Sequence, residues 1–309
     1  MRATTLFSLL VASVIATGCG GAEPAAPEAQ APTQEQEQTG SARVQALTAG
    51  SPVTSRPYKF KVPKGYDASK PTPLLIMLHG LTASGELEEL LLHFGPLADK
   101  QNFLYAYPDG TKNPLGVRFW NATDFCCNFF GSEVDDVAYI NAVIDDMASH
   151  YNVDAKRVFV TGHSNGGFMA HRMACDSSAR IAGIVSLAGA QWNDATKCRP
   201  TDKVAVAQVH GNLDLIVAYG GGPLYPSARE TVDIWANRNG CLGRLTYGGT
   251  NLDLDGVLLG AETKVERYTG CTEPGAVELW TMQAAGHVPA FNSHWPGAVW
   301  AFLMAHPKP

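Results

Sequence analysis

The sequence predicts an α/β domain with a mostly parallel central sheet and helices on both faces. Three observations carry this. From Pro57 onward, apolar strand-like runs alternate with runs of helical periodicity. The run Val158–Met169 sets Gly162-His163-Ser164-Asn165-Gly166 between a β-type segment and an apolar helical one. Finally, His210–Asp214 and Gln283–His287 each follow a strand-like run directly, so both leave the same edge of a parallel sheet.

The elements follow in order. Tyr58–Val62 is an early strand, and Leu74–Leu78 is an apolar strand ending in His79-Gly80. Leu87–Lys100 is largely helical, with a break expected at Gly95-Pro96. Phe103–Tyr107 is a strand, closed by the turn Pro108-Asp109-Gly110. A loop over 111–133 carries Trp120, Asn121 and adjacent cysteines. Val137, Ile140, Ile144, Met147 and Tyr151 mark one helix face by three- and four-residue spacing. Ser132-x-x-Asp135 is a cap signal for its start. Asp135 and Asp136 belong to a first helical turn, where the dipole favours carboxylates, and not to catalysis. Strands follow at Arg157–Thr161, Ile181–Leu187, Val204–Val209 and Ala276–Met282. Helices follow at Gly166–Ala174, Ala228–Arg238 and Pro296–Ala305. The polar, Gly-rich stretch 243–260 is an excursion near the pocket or a β-hairpin. No internal repeat and no second domain is visible.

Composition narrows the class. The chain has 309 residues, 45% hydrophobic and 17% charged, which is ordinary for a globular protein. A net charge of -6 gives no reason to invoke nucleic acid or an anionic membrane surface. Arg2 precedes an apolar stretch, Leu6–Ala16, too short to span a bilayer, so residues 1–19 are expected to be a signal peptide. Small residues before Cys19 are like a bacterial lipobox. Cys19 is therefore the expected lipidation site and the sole link to a membrane, with simple secretion as the alternative. Residues 20–50 lack bulky apolar side chains and are expected to be a disordered tether. Residues 51–309 are the expected folded domain.

Of the 7 cysteines, six lie beyond Cys19, an even count that argues for disulfides after a signal peptide. Cys175–Cys198 would flank one helix–strand unit, and Cys241–Cys271 an excursion after a helix. Cys126 and Cys127 would then pair with each other or cross-pair with the rest. No Cys-x-x-Cys or His-Glu-x-x-His occurs, so neither metal nor cofactor is expected.

The chemistry centres on Ser164. A serine on a strand-to-helix turn has strained backbone, glycines on either side allow close approach, and the helix N-terminus offers N–H groups to an oxyanion. Asp214 and His287 follow in the chain order that a Ser–Asp–His triad on this architecture requires. His287 would take the Ser164 proton, and Asp214 would hold the imidazole in one tautomer. His294, in Ser293-His294-Trp295-Pro296, is a rival base. His287 is preferred because it directly follows a strand. His79, His163 and His210 flank glycines or the elbow and are expected to shape turns or line the pocket. The oxyanion donors are the backbone N–H groups of Asn165 and Leu81, with Gly80 turning the chain. Trp120, Trp192 and Trp295 are candidate aromatic walls of the substrate site.

Several runs together resemble a known group. They are Phe103–Gly110, Trp120-Asn121-Ala122, Cys126-Cys127, Val134–Val137, Arg157–Gly167, Ala174-Cys175 and His210–Asp214 with Val217, Tyr219 and Gly220-Gly221 after it. In this order they resemble the secreted esterases that join polyhydroxybutyrate depolymerases and feruloyl esterases, across roughly residues 57–305. The resemblance implies an α/β-hydrolase fold, with Ser164, Asp214 and His287 as the triad of a serine carboxylic ester hydrolase. Its substrate would be feruloyl or acetyl esters of plant polysaccharide, or alternatively a polyhydroxyalkanoate. The first is preferred because no Ser/Thr-rich linker or polymer-binding domain follows. A non-enzyme alternative is a surface carbohydrate-binding module on the same fold. The chain departs from the group's pattern at Leu81, where a cysteine is frequent. It departs again where Gly-Gly-Gly-His-x-Trp-Pro is split between Gly286-His287-Val288-Pro289 and Ser293–Pro296.

Overall fold

A nine-stranded sheet organises the chain in this computed structural model, which describes residues 52–309. The expected signal peptide at 1–19, the Cys19 lipidation site and the tether at 20–50 lie outside the described residues. The chain begins with α1 (Pro52–Ser55), β1 (Lys59–Lys61), β2 (Thr72–Leu78), α2 (Gly85–Leu92), α3 (Phe94–Gln101) and β3 (Leu104–Tyr107). A small hairpin of β4 (Thr111–Lys112) and β5 (Arg118–Phe119) leads to α4 (Asp136–His150), β6 (Val153–His163), α5 (Asn165–Asp176) and β7 (Gly183–Leu187). Then come β8 (Ala205–Gly211), α6 (Ala228–Arg238), β9 (Leu245–Leu252), β10 (Thr263–Tyr268), β11 (Val277–Met282) and α7 (Trp295–Ala305).

The strand order is β1-β3-β2-β6-β7-β8-β11-β10-β9. From β3 through β11 every ladder is parallel, while β1 at one edge and β10–β9 at the other pair antiparallel. This is the α/β-hydrolase fold. Every residue of β2, β7, β8 and β11 is buried, which is why these strands read as continuous apolar runs. Successive residues still part to opposite faces. Leu74, Ile76 and Leu78 join the core under α4, α5 and α6, while Leu75 and Met77 join the one under α3 and α7.

Three local expectations are revised. The helical run over 87–100 breaks at His93, whose φ is 55°, and not at Gly95-Pro96. Pro96 falls in the first turn of α3, where its missing N–H costs nothing. The Glu89 carboxylate accepts from Phe94 N and Gly95 N at 3.2 and 2.6 Å, satisfying that helix start. Helix α4 is capped by Asp135, which accepts from Ala138 N at 2.9 Å, while Ser132 instead bonds Asn128 and Val134. The stretch 243–260 contains an edge strand, β9, whose partner β10 was not expected. Disulfides join Cys175 to Cys198 and Cys241 to Cys271, and Cys126 pairs with its neighbour Cys127.

Candidate functional site

Strand β6 ends at His163 and helix α5 begins at Asn165, so Ser164 alone turns the corner, at φ 53° and ψ -118°. A non-glycine residue occupies this region only when its surroundings over-determine it. Ser164 N donates to Leu187 O at 2.8 Å and Ser164 O accepts from Phe168 N at 3.0 Å, which clamps both sides. A Cβ on Gly166 would collide with the carbonyls of Leu78 and His79, so the strand and helix can approach only with glycine there.

The ends of β8 and β11 are neighbours in register, Met282 opposite Gly211. The loops leaving them bring His287 and Asp214 together beside Ser164. His287 Nε2 lies 2.9 Å from Ser164 Oγ, and its Nδ1 lies 2.7 Å from Asp214 Oδ2. The other Asp214 oxygen accepts from Ile216 N at 2.8 Å and Val217 N at 2.9 Å. Burial works against the charge on Asp214. Hydrogen bonds from His210, His287 and Ile216 outweigh it and hold the carboxyl well below the usual carboxylate range. His294 stands elsewhere, at the start of α7, with its Nδ1 3.2 Å from Asp253 O.

A second buried pair braces this arrangement. His163 Nε2 donates to His287 O at 2.9 Å and its Nδ1 donates to Glu88 Oε1 at 3.1 Å. The other Glu88 oxygen accepts from Gly80 N at 2.9 Å. Burial opposes a charge on His163, but the hydrogen bond to Glu88 and its negative charge prevail and raise the pKa above the ordinary histidine value. Glu88 was not singled out in the sequence. Its signal was spacing: with Gly85 and Leu92 it forms the buried face of α2.

The turn after β2 is equally fixed. His79 Nε2 accepts from Gly110 N at 2.9 Å, and its carbonyl accepts from the Trp120 indole at 3.0 Å. Burial lowers the His79 pKa. The Asn165 side chain is held by both polar groups of the Trp120 backbone, at 2.7 and 3.0 Å. The Asn165 N–H is therefore left at the open first turn of α5. Among the described residues no hydrogen bond occupies the Leu81 N–H. His210 is buried beside Asp214, with Nε2 3.2 Å from Oδ2. The expected aromatic walls are not walls. Trp120 and Trp295 have no exposed surface, and Trp192 is buried at 8% exposure. Trp295 stacks on Phe291 with ring centres 4.0 Å apart, and Trp120 packs against His79 and Tyr139. Large flat rings at these positions gain more from core packing than from solvent.

The geometry gives a hydroxyl whose proton has a direct path to an imidazole, itself oriented by a carboxylate, beside free N–H groups at a helix start. Such an arrangement can deliver an alkoxide to a carbonyl carbon and stabilise the resulting oxyanion.

Residues 65–227, just over half of the chain, match the family described as Phospholipase/Carboxylesterase. The chain is 27% identical to feruloyl esterase B of Piromyces equi, over 74% of this chain and 41% of that protein. It is also 27% identical to poly(3-hydroxyalkanoate) depolymerase C of Paucimonas lemoignei, over 80% of this chain and 63% of that one. The matched segment thus spans less than two thirds of either relative. Among solved structures, acetyl xylan esterase from Aspergillus awamori superposes with a TM-score of 0.56 at 17% identity, over 79% of this chain and 93% of its own, which establishes likeness of fold.

Proposed function

Because the chain belongs to the phospholipase/carboxylesterase family, we propose that it hydrolyses carboxylic esters through an acyl-serine at Ser164. Ser164 attacks the ester carbonyl as His287 takes its proton. Asp214 stabilises the resulting imidazolium, and the Asn165 and Leu81 N–H groups receive the oxyanion. His287 then returns the proton to the leaving alcohol, and water releases the acid by the same steps. The observation that carries this reading is the unbroken path from Ser164 Oγ through His287 to Asp214, at 2.9 and 2.7 Å.

The preferred substrates are feruloyl or acetyl esters of plant polysaccharide, a reading supported by the feruloyl esterase relative. Secretion is supported by three disulfides and the N-terminal sequence, with Cys19 as the anchor where one exists. A specific observation favours polyhydroxyalkanoate as the second reading. Leu215, Ile216 and Val288 are 95%, 68% and 58% exposed on the same loops as Asp214 and His287, an apolar rim suited to a polyester. The test compares kcat/KM for methyl ferulate, acetylated xylan and a 3-hydroxybutyrate oligomer, with Ser164→Ala as the control. Ser164→Ala is expected to fold and to lose about three decades of kcat or more. Near-normal turnover in folded Ser164→Ala overturns the mechanism, and strong oligomer preference with clearing of polymer suspension overturns the substrate.

A further inference from the structure

A line of buried polar side chains runs from the buried face of helix α6 to Asp214, and the mechanism above uses only its last member. Trp235 on α6, His171 on α5, and Gln208 and His210 on β8 all lie in the core, none more than 1% exposed. The Trp235 indole donates to His171 Nδ1 at 3.0 Å. His171 Nε2 stands 2.9 Å from Gln208 Oε1. Gln208 Nε2 donates to Gly189 O at 2.8 Å and stands 3.2 Å from His210 Nδ1. His210 Nε2 stands 2.8 Å from Val217 O and 3.2 Å from Asp214 Oδ2.

The chemistry of two members fixes the direction of all of them. An indole N–H can only donate, so His171 Nδ1 must be bare and its proton must sit on Nε2. A carbonyl can only accept, so the end of Gln208 that faces Gly189 must be its NH2, and Oε1 must face the His171 Nε2–H. The Gln208 NH2 then also donates to His210 Nδ1, which leaves the His210 proton on Nε2. No amide flip or tautomer change at one member survives without a donor–donor or acceptor–acceptor clash at the next. The register makes this possible: Gln208 and His210 are two apart on β8 and so share the face that α5 and α6 cover.

We propose that Trp235, His171, Gln208 and His210 form a one-way donor chain that positions Asp214, with His210 sharing its Nε2–H between the Asp214 carboxylate and the Val217 carbonyl. The proposal rests on the reading of Asp214 as the carboxylate that orients His287. His210 is a positioning residue in this arrangement. Its N–H fastens the loop whose Ile216 and Val217 N–H groups hold Oδ1, and it draws on the negative charge of Oδ2 opposite His287. The charged and titratable groups facing the chain are few: Asp214 and His287 at one end, with His163 behind them, Tyr219 edge-on against His210 at 5.7 Å with its hydroxyl bonded to Thr281, and Arg238 near His171 at the other. Removing the His210 donor concentrates negative charge on Asp214. Imidazolium is then favoured at His287, and the acidic limb of the pH–rate profile moves to higher pH.

The experiment combines tautomer assignment with kinetics on the full chain. In 15N-histidine-labelled protein, the expected state is an Nε2–H tautomer at both His171 and His210, and an Nδ1–H tautomer at either overturns the chain. With a short p-nitrophenyl ester, His210→Phe is expected to lower kcat about 10- to 100-fold, the range for a hydrogen bond to a charged group, with KM within about twofold. The acidic limb should rise by about half a pH unit or more. His210→Gln keeps a donor at the same reach and should recover most of the rate. Gln208→Met leaves His210 in place but frees its tautomer, and should move the limb in the same direction by less. A folded His210→Phe or Gln208→Met with a wild-type profile overturns the proposal. So does a His210→Gln as slow as His210→Phe with the limb unmoved, which marks a merely structural role. Ser164→Ala run beside them separates the two ideas. An active Ser164→Ala defeats the esterase mechanism itself, whereas an inactive one with wild-type behaviour at His210 defeats the donor chain alone.

Discussion

Glu88→Gln is expected to be among the most damaging single-atom changes in the molecule. The carboxylate is 3% exposed and serves two donors, Gly80 N on one oxygen and His163 Nδ1 on the other. An amide has one acceptor, so with Gly80 N on its oxygen its NH2 can be met at His163 only by an Nδ1 that has given up its proton. The His163 cation also loses its buried counter-charge. Breaking a buried pair from one side typically costs about 3–5 kcal/mol. In a domain of this size that lowers Tm by on the order of 10 °C. The pH dependence is the sharper reading. The folded pKa of His163 is raised, so its contribution is fully present below the unfolded value of about 6.5 and is lost as pH rises through the folded value. The stability gap between wild type and Glu88→Gln should therefore be largest near pH 6 and should shrink by pH 9. Urea unfolding at the two pH values measures it. A gap below about 1 kcal/mol, or one that grows with pH, refutes the pairing argument.

Three further outcomes are expected. His287→Ala should lose about three decades of kcat or more, while His294→Ala, exposed beside Asp253 O, should stay within a fewfold of wild type; steady-state kinetics of each decides, and the opposite ranking reassigns the base. Replacing Cys175 and Cys198 together by alanine removes a link across a sequence separation of 23 and should cost ~3 kcal/mol in urea unfolding, with an unchanged midpoint arguing against the bridge. His171 is pulled down to about 4 by burial, against its hydrogen bond to Gln208. The unfolded chain therefore binds a proton that the native chain lacks between about pH 6.5 and 4, and stability falls on acidification by up to about 1.4 kcal/mol per pH unit. His171→Gln should flatten that segment of the stability–pH curve, and an identical slope in the variant would count against the assignment.

The parts of this protein that were legible in the chain are those set by neighbours in sequence. Apolar runs too continuous for a half-exposed strand announced a parallel sheet buried on both sides, and β2, β7, β8 and β11 are buried throughout. Gly162-x-Ser164-x-Gly166 between strand and helix announced the corner, because only a few backbone geometries fit that turn. Cysteine count and spacing led to the two long-range disulfides. Even locally, competing signals misled: Gly95-Pro96 opens α3 where a break was expected, because a proline suits a first helical turn and His93 takes the left-handed conformation instead.

What the tertiary structure decided was which side chains meet. His287 and His294 are seven residues apart, and both leave the last parallel strand for the final helix. The parallel register of β8 with β11 sets His287 against Asp214 and Ser164, and the pairing of Asn292 with Leu254 and Asp253, with the contact of His294 itself to Asp253 O, holds His294 away. The burial of Trp120 and Trp295, the brace from Glu88 through His163, and the line from Trp235 to His210 have the same origin. Apart from the stacking of Trp295 on Phe291, each joins segments tens of residues apart in the chain. A sequence states the period and the turn of each element, because these are fixed by local sterics. It does not state which faces are pressed together, because that follows from packing the whole sheet between its helices.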